Sequence, residues 1–254
     1  MKILLKLIMD IGLINSAIHL SQAVYCNTTL WNCKTCDKND KIDKTIEKYG
    51  EKIIMGNNEE RSFVAFRGST NIENWIDNIQ IRHSCYENNI CIEKGFDKLY
   101  NNLKYDIFDY LDNNEIINNN LLISGHSLGS ALGTLLTYDL LTSNSLYNIT
   151  LITFGSPRVG NIEFVKDFMK YNLTTYRITH YYDIVPHLPQ YNLNYHHIPN
   201  EIWYNEKNIL YEICNDYNID ENENCSNSCY PLHCTSVSDH LNYLNITMGS
   251  NGDC

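Results

Sequence analysis

From about residue 50 onward, short apolar runs alternate with stretches of helical spacing. Residues 52–55 and 62–66 read as short strands. Phe96, Leu99, Tyr100, Leu103 and Ile107 recur at helical spacing and predict an amphipathic helix. Residues 121–124 predict a buried strand, 128–141 a helix and 149–154 the next strand. Asn161 opens another helix, and residues 174–182, 198–204 and 209–213 read as later strands. Strand and helix in turn predict an α/β fold: a mainly parallel central sheet with helices on both faces. No Pro/Gly/Ser linker and no internal repeat divides the chain, so one domain is expected over residues 24–254.

One junction in this pattern carries chemistry. Gly125-His126-Ser127-Leu128-Gly129 lies between the strand ending at Ser124 and the helix starting near Leu128. A serine on a tight strand-to-helix turn projects its hydroxyl above the sheet edge, and the flanking glycines remove side chains that would clash. Such a serine needs a base and an orienting acid, in the chain order Ser, acid, His. Asp183 ends the 174–182 strand, and Pro186 and Pro189 follow it. Asp139 and Asp167 fall on helices, Asp216 and Asp220 in an Asn-rich loop, and Glu201 within a strand, so Asp183 is the expected acid. His240, near the C-terminus in Ser238-Asp239-His240-Leu241, is the expected base, with His233 as its competitor. His126 is expected to pack, and His196 and His197 to brace loops. An oxyanion would be bound by the backbone N–H of Leu128 and by Ser69, in the loop Phe66-Arg67-Gly68-Ser69-Thr70.

After that loop, Thr70 and Glu73 form the S/T-x-x-E pattern of a capping box. Ile72, Trp75, Ile76 and Ile79 then fall at i, i+3, i+4 and i+7, with Asn71, Glu73, Asn74, Asp77 and Asn78 on the other face. An apolar stripe beside an oxyanion loop suits a lid as well as a core helix.

Charge and cysteines narrow the surroundings. The formal net charge of -11 excludes nucleic acid and anionic membranes as natural partners, so any lipid contact must be apolar. Lys2, the apolar stretch from Ile3 to Ile18 and the small residues Ser21 and Ala23 predict a secretory signal over residues 1–23, although Lys6 and Asp10 interrupt the stretch. The alternative is an amphipathic N-terminal helix. Ten cysteines in an exported chain predict disulfides. The C-x-x-C at Cys33 and Cys36 also suits zinc, with Cys229, His233 and Cys234 as the candidate partners; no metal is expected. Glycosylation sequons at Asn27, Asn148, Asn172, Asn224 and Asn245 fit a secreted chain.

Taken together, the chain resembles the class 3 lipase family of secreted fungal lipases and feruloyl esterases. The resemblance rests on Phe66-Arg67-Gly68-Ser69 with Ile72-Glu73-Asn74-Trp75, on the Gly125–Gly129 pentapeptide, and on Thr153-Phe154-Gly155-Ser156-Pro157-Arg158-Val159-Gly160. It continues through Asp183-Ile184-Val185-Pro186, His197 with Glu201 and Trp203, and Asp239-His240. It implies an α/β-hydrolase fold, Ser127, Asp183 and His240 as a triad, Ser69 and Leu128 as oxyanion donors, a lid at Ile72–Ile79, and no metal or cofactor. It also suggests a Cys26–Cys254 bridge. Local bridges are expected at Cys33–Cys36 and Cys85–Cys91. Cys214, Cys225, Cys229 and Cys234 admit three pairings, of which Cys214–Cys225 with Cys229–Cys234 is the simplest. The extra cysteines between Cys214 and Cys234 depart from the usual fungal pattern. The implied activity is hydrolysis of lipid esters such as triacylglycerol at an oil–water or membrane interface, by a monomer. Phospholipase A1 and feruloyl esterase chemistry are the alternatives within the enzyme class, and an inactive lipid-binding homologue the alternative outside it.

Overall fold

In the computed structural model, residues 2–254 are described apart from 80, 144, 172, 215–220, 222–223, 230–232, 251 and 253, and residues 2–10 by backbone only. The sequon residue Asn172 and the rival acids Asp216 and Asp220 therefore lie outside the described residues. The chain runs α1 (Lys2–Ala23), β1 (Lys41–Lys48), β2 (Glu51–Asn57), β3 (Ser62–Phe66), α2 (Ile72–Asn78), β4 (His83–Cys85), β5 (Cys91–Glu93), α3 (Lys94–Asn113) and β6 (Asn120–His126). It continues with α4 (Leu128–Thr142), β7 (Asn148–Phe154), α5 (Ile162–Phe168), β8 (Thr174–His180), β9 (Glu201–Tyr204), β10 (Tyr211–Ile213), α6 (Val237–His240), β11 (Asn242–Tyr243) and β12 (Ile246–Thr247).

Eight strands form one sheet in the order β1-β2-β3-β6-β7-β8-β9-β10. Pairing from β3 through β9 is parallel; β1, β2 and β10 add antiparallel edges. The period-two alternation of strand residues divides the core. Ile53, Met55, Val64, Phe66, Leu121, Ile123 and Leu151 meet α3, α4 and α5 on one face. Ile54, Phe63, Ala65, Leu122, Ile152, Phe154 and Ile178 meet α1 on the other. This is the α/β-hydrolase arrangement. Strand β1 was not foreseen, because Lys41–Lys48 is mostly polar and lies exposed on the sheet edge.

The N-terminal segment packs against the sheet. Lys2–Ala23, within the segment expected as a leader, form α1. Ala17, Ile18 and Ala23 are fully buried, and Ile14 and Leu20 nearly so. The helix lies on β6, β3 and β7, and Gln22 exchanges hydrogen bonds with the Gly249 backbone at 3.0 and 3.2 Å. Ser21 and Ala23, the small residues at the end of this helix, are fully buried. Burying Ile14, Ile18 and Leu20 is worth on the order of 5–9 kcal/mol, comparable with the whole stability of an ordinary domain.

All ten cysteines are bridged. Cys26–Cys254 ties α1 to the C-terminus, and the others are Cys33–Cys36, Cys85–Cys91, Cys214–Cys225 and Cys229–Cys234. His187 with Cys229 and Cys234, and Glu201 with Cys214 and Cys225, cluster as metal ligands do, but their sulfurs are committed to disulfides and offer no thiolate. Among the described residues, no helix is long and apolar enough to cross a membrane.

Because α1 covers β3, β6 and β7 on one face of the sheet, a chain beginning at Val24 is expected to lose its cooperative thermal transition, followed by circular dichroism. A truncated chain that melts like the full one would show that the helix is dispensable.

Candidate active site

The parallel strands place the chemistry at one edge of the sheet. β6 ends at His126, and Ser127 turns the chain into α4 with φ 57 and ψ -130. A non-glycine residue in that region is strained and persists only where its surroundings over-determine it. The surroundings are tight. A Cβ on Gly125 would lie 2.4 Å from the Gly129 carbonyl, and one on Gly129 would lie 2.3 Å from the Phe66 carbonyl. Ser127 N donates to the Phe154 carbonyl at 2.9 Å, and Ser130 Oγ donates to the Gly125 carbonyl at 2.7 Å.

Asp183 follows β8 and is 2% exposed. Its carboxylate accepts from His240 Nδ1 at 2.9 Å, from the Tyr243 hydroxyl and from Val185 N at 2.8 Å. Burial disfavours its charge, but His240, Tyr243 and the Val185 amide outweigh burial and hold the carboxyl below the usual carboxylate range. Tyr243 is pushed the other way, well above the ordinary tyrosine value, by burial and by the Asp183 charge. His240 closes the short helix α6, whose N-cap Ser236 accepts from Asp239 N at 3.0 Å. The ring is completely buried. Among the described residues, neither His240 Nε2 nor Ser127 Oγ has a hydrogen-bond partner.

His126 does more than pack. Its Nε2 lies 2.8 Å from the His240 carbonyl, and its Nδ1 lies 2.9 Å from the Tyr25 hydroxyl. A carbonyl only accepts, so Nε2 carries the proton and Tyr25 donates to Nδ1. Burial, reinforced by neighbouring His240, pushes the His126 pKa down to about 3, so the ring stays neutral. Tyr25 in turn accepts from the Gly68 amide, and a Cβ on Gly68 would lie 2.3 Å from the tyrosine oxygen and 2.9 Å from Ser127 Cβ. The Gly68 loop, the Ser127 turn and His240 are thus linked to the residue that follows α1. The sequence signal for this network was only the polar residue beside Ser127; its partners are far apart in the chain.

The remaining candidates are placed as follows. Ser69 directly follows Gly68 beside the serine turn, and its hydroxyl donates to the Asn71 carbonyl at 3.1 Å. Leu128 is the first residue of α4. His197 donates to the Pro186 carbonyl at 2.7 Å and braces the Asp183 loop. Glu201 pairs with Arg177 inside the sheet edge at 3.3 Å, and His233 is exposed, stacked on Tyr182. Asp139 and Asp167 lie away from the site, bonded to Tyr100 and Tyr138. The 72–79 segment is half-buried on its apolar side: Trp75 stacks on Phe96 at 6.2 Å, and Trp75 and Ile79 rest on the core. Its cap differs from the capping-box expectation. Asn71, not Thr70, is the N-cap and accepts from Asn74 N at 3.0 Å; its side chain occupies the role one residue later.

Comparison with known proteins agrees with this geometry. The chain is 31% identical over 248 residues to a lipase of Rhizomucor miehei, an alignment covering 91% of this chain and 67% of that one. It is 31% identical over 177 residues to the secreted mono- and diacylglycerol lipase A of Penicillium cyclopium, covering 66% of this chain and 56% of that one. The chain thus spans about two thirds or less of these curated relatives. The solved Rhizomucor miehei triacylglyceride lipase superposes with a TM-score of 0.86 at 28% identity, over 95% of this chain and 97% of that one. The class 3 lipase model matches residues 63–193, and with the alignments above it establishes that the chain belongs to the class 3 lipase family.

Proposed function

We propose that the protein hydrolyses carboxylic esters of acylglycerol lipids, with Ser127 as nucleophile, His240 as base and Asp183 as orienting acid. One observation carries the reading: a buried carboxylate grips His240 Nδ1 beside a serine held in a strained strand-to-helix turn. Ser127 Oγ attacks the ester carbonyl while His240 Nε2 takes its proton. Asp183 keeps the imidazole in the required tautomer and stabilises its charged form. The N–H groups of Leu128 and Ser69 bind the oxyanion, helped by the field at the α4 N-terminus. His240 then protonates the leaving alcohol, and water releases the acyl group by the same steps in reverse.

The apolar stripe of Ile72, Trp75, Ile76 and Ile79 is the lid. Ser127 is 1% and His240 0% exposed, so no ester reaches them until something moves. The helix α2 has no fully buried residue, which makes it the least anchored helix near the site. Exposing a whole side chain of this size costs roughly 1.5–3 kcal/mol, and half-burial lowers that to on the order of 1 kcal/mol each. The sum keeps the lid closed until an apolar surface receives the stripe, so opening and adsorption are coupled. Full disulfide bonding supports an exported setting, a secreted protein among them.

Ser127→Ala is expected to abolish hydrolysis of p-nitrophenyl esters with the melting curve unchanged. Asp183→Asn should lower turnover on the order of 10⁴-fold, the scale of a tautomer error; near-normal turnover would remove Asp183 from the mechanism. Gly155 has φ 57, and a Cβ there would lie 2.9 Å from both Asp183 Oδ2 and His240 Nδ1. Gly155→Ala should therefore reduce kcat about 10²-fold through misplacement of the pair, and an unchanged kcat would show that the pair tolerates displacement. For the lid, rate on an emulsified long-chain ester should jump as substrate passes its solubility limit. Trp75→Ser should reduce that jump more than it reduces hydrolysis of a dissolved short-chain ester; equal losses would make the helix a core element.

A further inference from the structure

β6, β7, β8 and β9 end at the same edge of the sheet, so the turn leaving β9 shares that edge with Ser127, Gly155 and Asp183. This turn, residues 205–210, is fastened to the segment after the base. Asn208 Nδ2 donates to Asn242 Oδ1 at 3.2 Å, and Leu244 N donates to Asn208 Oδ1 at 3.1 Å. Asn208 is buried and left-handed, with φ 53. Asn205 Oδ1 accepts from the amides of both Ile209 and Leu210 at 3.2 Å. The backbone is held from inside while the two apolar side chains point out, 67% and 68% exposed. Tyr211 and Ile213 extend the patch along β10, at 39% and 51%. A cluster of large apolar side chains on a fixed tip marks an interaction surface rather than a stray exposure.

We propose that this tip is a second lipid-docking element: Ile209 and Leu210 enter the acyl region of an uncharged lipid surface and hold the catalytic edge against it. The inference rests on the lipid-ester reading above. Three observations favour lipid over another copy of the chain. The tip is pinned to the loop of His240, so whatever it touches faces the site. The side chains project from a turn, a shape that penetrates a soft layer, rather than from a flat strand face. The net charge of -11 opposes close approach of a second copy, whereas Glu206 and Lys207 beside the tip carry no net charge into a headgroup layer.

The double variant Ile209→Ser/Leu210→Ser tests this in the full disulfide-bonded chain. Partitioning onto dioleoylphosphatidylcholine vesicles is expected to fall at least about tenfold, a change of ~1.4 kcal/mol. The rate on emulsified triolein should fall in parallel, with hydrolysis of dissolved p-nitrophenyl acetate unchanged, which also reports an intact fold. Unchanged partitioning overturns the proposal. A wild-type dimer in sedimentation equilibrium that the variant converts to monomer, with vesicle binding retained, also overturns it and assigns the tip to a second copy. If the wild-type protein hydrolyses no ester but the variant loses vesicle binding, the docking surface stands and the ester reading fails.

Discussion

A charged carboxylate with no water around it sets the terms for the rest of this structure. An ionised group buried without partners costs several kcal/mol, and the usual escape is to take up a proton. Asp183 keeps its charge because an imidazole N–H, a phenol and a backbone amide all point at it. Each donor comes from a different segment: α6, β11 and the loop after β8. The C-terminal hairpin must therefore fold back onto the sheet edge, and Gly155 must pass without a side chain. His197, held neutral by burial, supports the same loop from the opposite side through the Pro186 carbonyl.

The base is fixed from a second direction. His126 grips the backbone of His240 rather than its ring, and its own proton positions are settled by a carbonyl on one side and Tyr25 on the other. Tyr25 follows α1 and precedes Cys26, whose bridge to Cys254 ties the end of α1 to the C-terminus. A helix packed under the sheet and a disulfide at its end would ordinarily concern stability alone. Here both bear on the position of His240 through two hydrogen bonds. Closing so long a loop contributes about 4–5 kcal/mol in the chain-entropy model, and it also keeps Tyr25 in place.

The active-site edge thus combines rigid and loosely held parts. Ser127 N and Asp183 N donate to the Phe154 and His180 carbonyls at 2.9 and 3.0 Å. The 72–79 segment rests on the core by Trp75 and Ile79 while its other side is wet. The turn after β9 is rigid in backbone and apolar in side chain. Such a division suits chemistry that must stay preorganised while access to it changes.

Residues 125–129, the strand before them and the helix after them were legible because strand-to-helix chemistry is local. A Gly-x-Ser-x-Gly turn needs small residues at fixed offsets, and those offsets are printed in the chain. The order of Asp183 and His240 was legible for a related reason, since parallel strands end at one edge and their loops follow in sequence. The polar edge strand β1 was not legible, because its partner β2 rather than its own pattern makes it a strand. The packing of the N-terminal segment was not legible for the opposite reason. An apolar run ending in small residues suits both a leader and a helix packed close to a sheet, and only the tertiary structure brings Ile14, Ile18 and Leu20 together with Leu122 and Phe154. By itself the sequence determined the alternation of elements, the strained serine and the residue types that surround it. Tertiary structure alone decided that Tyr25, Gly68, His126 and His240 form one hydrogen-bonded chain, because residues far apart in the sequence acquire donors and acceptors only when folding brings them together.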